Sequence, residues 1–232
     1  MAMPVLATKL FVPRPRPQAI SRPRLIEQLS AGVQAGRKLT LVSAPAGFGK
    51  TTLLAEWIDQ TRRRDPRVRI AWLSLDERDN DPARFLSYLA ATLHQADPNI
   101  GTGTSTGTGT GTGTGQYETS ASAEATLTGF INAIAGGTPN SDSNSDSKSD
   151  SSSDSNSEST HGPSPLILFL DDFHLIEDVG VREAVVFLLD HLPPTMHVAL
   201  SSRSDPLLPL ARMRASGDLT EVRAADLARL EL

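Results

Sequence analysis

Short apolar runs alternate along this chain with stretches whose apolar residues recur every three or four positions. Leu39 to Ser43, Val68 to Ser74, Leu166 to Leu170 and Met196 to Ser201 are brief and largely apolar, and Leu219 to Arg223 makes a short fifth. They read as five buried strands. Between them, Leu25, Leu29 and Val33 share one helical face, as do Leu53, Leu54, Trp57 and Ile58, and again Phe85, Leu86, Leu89 and Leu93. Leu127, Phe130, Ile131 and Ile134 predict a helix over 123–135 that packs on the sheet, and further helices are expected near 181–192 and 207–215. Ser21 stands as an N-cap with Pro23 in the first turn and Gly36 as the stop; Asp81 and Pro82 open the third helix. Both tryptophans, Trp57 and Trp72, read as core. Strands alternating with helices predict an α/β three-layer sandwich around a five-stranded, mainly parallel sheet.

Two stretches break the pattern. Residues 101–115 are nearly alternating Gly and Thr, and 141–160 are Ser with Asp, Asn and one Glu. Neither can bury enough apolar area to offset its ordering entropy, so disordered inserts are expected at 98–120 and 137–164. In the second, Asp142, Asp146, Asp150, Asp154 and Glu158 face only Lys148, which leaves four net negative charges of the chain's formal −5. The folded remainder is close to neutral. The acidic spacing matches no calcium loop. Residues 1–20 carry four prolines and predict an extended leader lying on a domain that spans 21–232. Near-neutrality argues against broad nucleic-acid binding. Zero cysteines exclude disulfides and thiolate metal sites. No apolar run reaches membrane-spanning length, so no membrane partner and a cytoplasmic location are expected.

The chemistry gathers at strand ends. After Leu39–Ser43 comes Ala44-Pro45-Ala46-Gly47-Phe48-Gly49-Lys50-Thr51-Thr52, a strand running through a glycine loop into a helix: the layout of a phosphate-binding P-loop. Gly47 and Gly49 let successive amide N–H groups turn toward an anion, and the helix adds its positive end. Residues 46–52 are the expected cofactor-binding set: Ala46, Gly47, Phe48, Gly49, Lys50, Thr51 and Thr52. Lys50 offers a mobile charge for β- and γ-phosphates and the Thr51 hydroxyl a hard ligand for Mg²⁺. The strict pattern has Gly where Ala44 stands. Leu166-Ile167-Leu168-Phe169-Leu170-Asp171-Asp172 has the form of a Walker B strand. Asp171 is the expected second metal ligand, and Asp172 is placed to orient or deprotonate an attacking water. Arg203, after the next strand, can reach a γ-phosphate; a surface salt bridge is the competing reading. His174 receives no role. Arg62, Arg63 and Arg64 read as a solvated helix end. With no base-reading Asn/Thr-Lys-x-Asp motif, ATP is favoured over GTP.

With those residues in view, the chain resembles the N-terminal ATPase domain of MalT-type, large LuxR-family transcriptional activators, within the STAND class of P-loop ATPases. The likeness is carried by Thr8-Lys9-Leu10 with Pro13-Arg14, by Arg22-Pro23-Arg24-Leu25, by the P-loop from Ser43, by Trp72-Leu73-Ser74-Leu75-Asp76 with Asp79-Asn80-Asp81 and Arg84-Phe85, by Leu170 to Ile176, and by Ser201-Ser202-Arg203. It implies a P-loop NTPase strand order of 5-1-4-3-2. It implies a switch held at rest by ADP, activated by ATP with an inducer, and reset by slow Mg²⁺-dependent hydrolysis. Arg22 and Arg24 become weak candidates for ligand contact. Family members continue into a winged helix, a helical-repeat sensor and a helix-turn-helix. This chain stops at Leu232, so a regulator truncated before those regions is expected, with no DNA contact of its own and with self-association or other regulator subunits as partners. The alternative is a non-catalytic nucleotide-binding or protein-interaction module, a gene remnant.

Overall fold

A computed structural model describes residues 5–14, 20–100, 120–136 and 164–229. Most of both low-complexity tracts lies outside the described residues, as do the acidic run and the start of the leader. The five strands are β1 (Leu39–Ser43), β2 (Arg69–Ser74), β3 (Leu166–Asp171), β4 (Met196–Ser202) and β5 (Leu219–Arg223). They form one sheet in the order β2-β3-β4-β1-β5, every neighbouring pair parallel. Read from the other edge this is the expected 5-1-4-3-2, and the sheet is wholly rather than mainly parallel.

Both faces of the sheet are covered, which is why its central strand β3 reads as a continuous apolar run. The period-2 alternation sorts each strand between two cores. Leu39, Leu41, Leu73, Leu166, Leu168, Leu170, Val198 and Leu200 point to one, Val42, Trp72, Ile167, Phe169 and Ala199 to the other. The first core takes residues from α3 (Pro82–Ala96), α4 (Ser120–Ile134), α5 (Val179–Asp190) and α6 (Leu210–Ser216). The second is closed by α1 (Pro23–Gln34), α2 (Lys50–Arg64) and the short α7 (Ala224–Ala228). Trp57 lies edge-on to Phe169 at 5.3 Å, and Trp72 stacks on Phe169 at 5.7 Å. Both tryptophans are core.

Several boundaries move for local reasons. Arg22, not Ser21, occupies the cap of α1, and the Ser21 hydroxyl bonds Glu56 instead. Pro209 delays α6 to Leu210. Helix α4 meets α5 and α3 more than the strands, so it reaches the core through other helices. Ile100 was placed in the first insert, yet it is buried in the core beside its hydrogen bond to Asp97. The leader is not extended throughout: Ala7–Leu10 make a 3₁₀ turn against β2. There the Lys9 ammonium is buried between Asp79 and Asp76, 4.4 Å above the Tyr88 ring. Among the described residues no helix is long and apolar enough to cross a membrane.

Candidate functional site: a phosphate loop, paired aspartates and an arginine at one sheet mouth

Parallel strands present their carboxyl ends along one side, and the loops leaving β1, β3 and β4 share that mouth. Ser43 pairs in register with Ser202 of β4 and Arg223 of β5, so the chain leaves β1 flanked by both neighbours. It then turns through Gly47 (φ 85°) and Gly49 (φ 79°) into α2. These left-handed angles are what glycine allows at no steric cost. A Cβ on Gly47 would meet open space, whereas one on Gly49 would meet an Arg22 guanidinium nitrogen at 3.1 Å. Arg22 thus lies over the loop, and its buried Nε has no partner among the described residues. Pro45, Ala46 and Gly47 are exposed, Phe48 packs on the second core, and Thr51 and Thr52 begin α2.

Lys50 is buried, with its ammonium bonded to the Ala44 and Pro45 carbonyls at 2.8 and 3.2 Å. Burial lowers its pKa and the Arg203 cation adds to that, while Asp172 and Asp171 oppose it. The lysine therefore stands within the field of both aspartates and of Arg203. Asp171 ends β3 at 4% exposure. It accepts hydrogen bonds from the Thr51 hydroxyl at 3.0 and 3.2 Å and from the Ser201 hydroxyl. Burial, aided by the Asp172 charge, raises its pKa against those hydrogen bonds.

Thr51 and Asp171 fit a magnesium ion. Two adjacent ligands of an octahedral ion with bonds of about 2.1 Å lie about 3 Å apart, and these oxygens are 3.0 Å apart. Among the described residues no group of three His, Asp or Glu could hold a metal. Magnesium is usually held by one or two carboxylates together with water and substrate phosphates.

Asp172 takes a left-handed conformation (φ 60°), the one non-glycine residue with positive φ among those described. Its N–H donates to Ser201 Oγ at 3.0 Å, and the turn that follows, Phe173–Leu175, places His174 Nδ1 3.8 Å from Asp172 Oδ1. Arg203 is exposed, one residue past β4, with no hydrogen bond or ion pair to a described residue. The competing salt bridge has no partner there. Arg62, Arg63 and Arg64 end α2, far along the helix from the loop.

Two contributors were missed. Ser201 ties β4 to both aspartates, and its place beside Asp171 follows from the register that pairs Leu170 with Leu200. Asp205 accepts from the Ser43 hydroxyl at 3.2 Å and pairs with Arg223. Asp205 stands in no motif, and although Ser201 opens the Ser201-Ser202-Arg203 stretch of the resemblance, only the pairing of adjacent strand ends says what it touches. A separate cavity of about 370 Å³, lined by Val33, Trp57, Met196 and His197, sits at the opposite ends of the strands, away from this mouth.

Topology and loop together define a P-loop NTPase fold. The chain is similar to the HTH-type transcriptional regulator MalT of Cronobacter sakazakii, 31% identical over 224 residues that make up 97% of this chain and 20% of that protein. MalT of Yersinia pestis is 30% identical over 225 residues, again 97% of this chain and 20% of the relative. The likeness to MalT-type regulators thus runs through nearly the whole chain, which spans about a fifth of the length of the curated relatives it matches. No protein-family model matches. Solved structures of similar shape include a Walker-type ATPase of Pyrococcus abyssi (TM-score 0.44, 10% identity, 91% of this chain and 56% of that one). Another is Drosophila ORC bound to AT-rich DNA and Cdc6 (TM-score 0.46, 10% identity, 87% and 53%).

Proposed function

We propose that this chain is an Mg²⁺- and ATP-binding, slowly hydrolysing switch domain of a MalT-type regulator. The observation that carries the reading is the convergence at one sheet mouth. The Thr51 hydroxyl touches the Asp171 carboxylate, while Lys50 lies within the field of Asp171, Asp172 and Arg203.

In this reading the amides of residues 46–52 and the amino end of α2 receive the phosphates. The Lys50 ammonium now rests on the Ala44 and Pro45 carbonyls; phosphate oxygens replace them as acceptors, which keeps the lysine charged. Thr51 and Asp171 would hold a magnesium ion, which would supply positive charge to offset that of the phosphates. Asp172, half-exposed and fixed at its backbone by Ser201, orients the attacking water and takes its proton. Arg203, free among the described residues, reaches a γ-phosphate that ADP lacks and so reports which nucleotide is bound. ATP favours the active, assembled form and ADP the resting one.

Calorimetry and phosphate release test this. Lys50→Ala abolishes Mg-ATP binding, whereas Asp172→Asn keeps affinity and loses turnover. Equal ATP affinity in the wild type and Lys50→Ala would overturn the site. Retained affinity with no turnover in the wild type leaves a non-catalytic nucleotide-binding module instead.

A further inference from the structure

His174 is the buried titratable group that the hydrolytic reading leaves unused. Its side chain is 11% exposed, and both ring nitrogens are shielded from solvent without a hydrogen-bond partner among the described residues. Buried polar atoms without partners are rare in folded proteins, and a functional demand is one reason for them. The neighbouring atom supplies the demand. Nδ1 lies 3.8 Å from Asp172 Oδ1, just beyond hydrogen-bond range and within a small side-chain rotation of it.

Asp172 needs such a partner. Its backbone is pinned at both ends, by Ser201 Oγ on the N–H and by the Leu175 N–H on the carbonyl. Its carboxylate accepts no hydrogen bond from a described residue and is 41% exposed. The charged groups facing the imidazole are Asp172, Arg203, Lys50 and Asp171. Burial lowers the His174 pKa, and the two cations add to this against the two carboxylates, which favours the neutral ring. A neutral imidazole carries one N–H and one acceptor nitrogen.

We propose that His174 is a positioning residue for Asp172: with nucleotide in place, Nδ1–H donates to the Asp172 carboxylate and aims it at the attacking water. This rests on Asp172 being the base, as read above. A neutral donor fixes the rotamer without the full ion pair that would strip the carboxylate of basicity. The proton leaving water goes to Asp172, and His174 keeps its own.

The test pairs His174→Leu, which removes the donor, with His174→Asn, whose amide N–H falls near the Nδ1 position. His174→Leu lowers kcat about tenfold with KM and calorimetric ATP affinity unchanged; His174→Asn recovers most of it. Added to Asp172→Asn, His174→Leu costs nothing further. Unchanged kcat in His174→Leu, no recovery in His174→Asn, or a loss confined to affinity or Tm overturns the proposal. Ring ¹⁵N spectra with Mg-ADP, assigned through His174→Asn, read the contact without turnover. They show an Nδ1–H tautomer that changes in Asp172→Ala; a ring indifferent to Asp172→Ala refutes the contact. A wild type that binds ATP and never hydrolyses it overturns the hydrolytic reading, and with it the base that His174 is said to aim.

Discussion

Acid should loosen this fold from beneath the P-loop strand. His197 of β4 is 3% exposed, its Nδ1 2.6 Å from the Arg37 carbonyl and its Nε2 2.9 Å from the Thr40 hydroxyl. The neutral ring is fully satisfied as donor at Nδ1 and acceptor at Nε2. Burial drives its pKa from 6.5 down to about 4, against the pull of the Arg37 carbonyl. The sign follows from proton linkage. The unfolded chain binds the proton first, so the histidine's stabilisation is complete above the unfolded value of 6.5 and is lost as pH falls toward about 4. Lowering the pKa from 6.5 to about 4, at about 1.4 kcal/mol per pH unit, amounts to about 3.5 kcal/mol, of which about 2 kcal/mol is gone by about pH 5. Urea unfolding of wild type and His197→Gln across this range isolates the effect, because carboxylate contributions are common to both. The wild-type curve should fall more steeply by about 2 kcal/mol between about pH 7 and pH 5. Parallel curves would refute a buried neutral imidazole at this position. Because His197 holds the chain at the entry to β1, partial acidification should, under the proposed function, weaken ATP affinity before global unfolding.

Lys9→Ala leaves Asp79, fully buried, with Arg84 at 3.3 Å as its remaining ion-pair partner. Breaking a buried ion pair on one side costs about 3 kcal/mol, to be read from urea midpoints, and proteolysis should then cut the leader ahead of α1. Gly32→Ala sets a Cβ 2.1 Å from the buried Thr220 Oγ1, so α1 and β5 cannot both keep their places. A loss of roughly 1–3 kcal/mol is expected, with recovery when Thr220→Ala is added; no recovery would mean that another contact sets the α1 spacing.

Much of this architecture was legible before any coordinates. The run Leu166–Leu170 gave β3 to within a residue, since a strand buried on both faces has few polar positions to blur it, and the bounds of β1, β4 and β5 also fell within a residue even though those strands carry polar side chains. The glycine spacing around Phe48 and the doubled aspartate after Phe169-Leu170 marked the loop and the acids, since phosphate binding restricts which residues can stand there. Where chemistry imposes no such restriction the reading slipped. Serine usually serves as a cap, but the Ser21 hydroxyl donates to Glu56 in another helix. Ile100 borders the glycine-threonine tract and so falls within the insert expected at 98–120, yet an isoleucine within reach of a core enters it.

Local composition and spacing could say which segments are strands, where a phosphate loop lies and which acids follow it, because each depends on near neighbours in the chain. They could not say that Ser201 bridges the two aspartates or that Arg22 lies over Gly49. Nor could they show that Lys9 fills a buried acidic pocket or that His174, beside Asp172, finds no hydrogen-bond partner among the described residues. Those contacts join residues tens of positions apart, or turn on which way a side chain faces. They exist because parallel strands in the order β2-β3-β4-β1-β5 bring remote ends together, and burial then leaves each polar group only the partners that packing supplies.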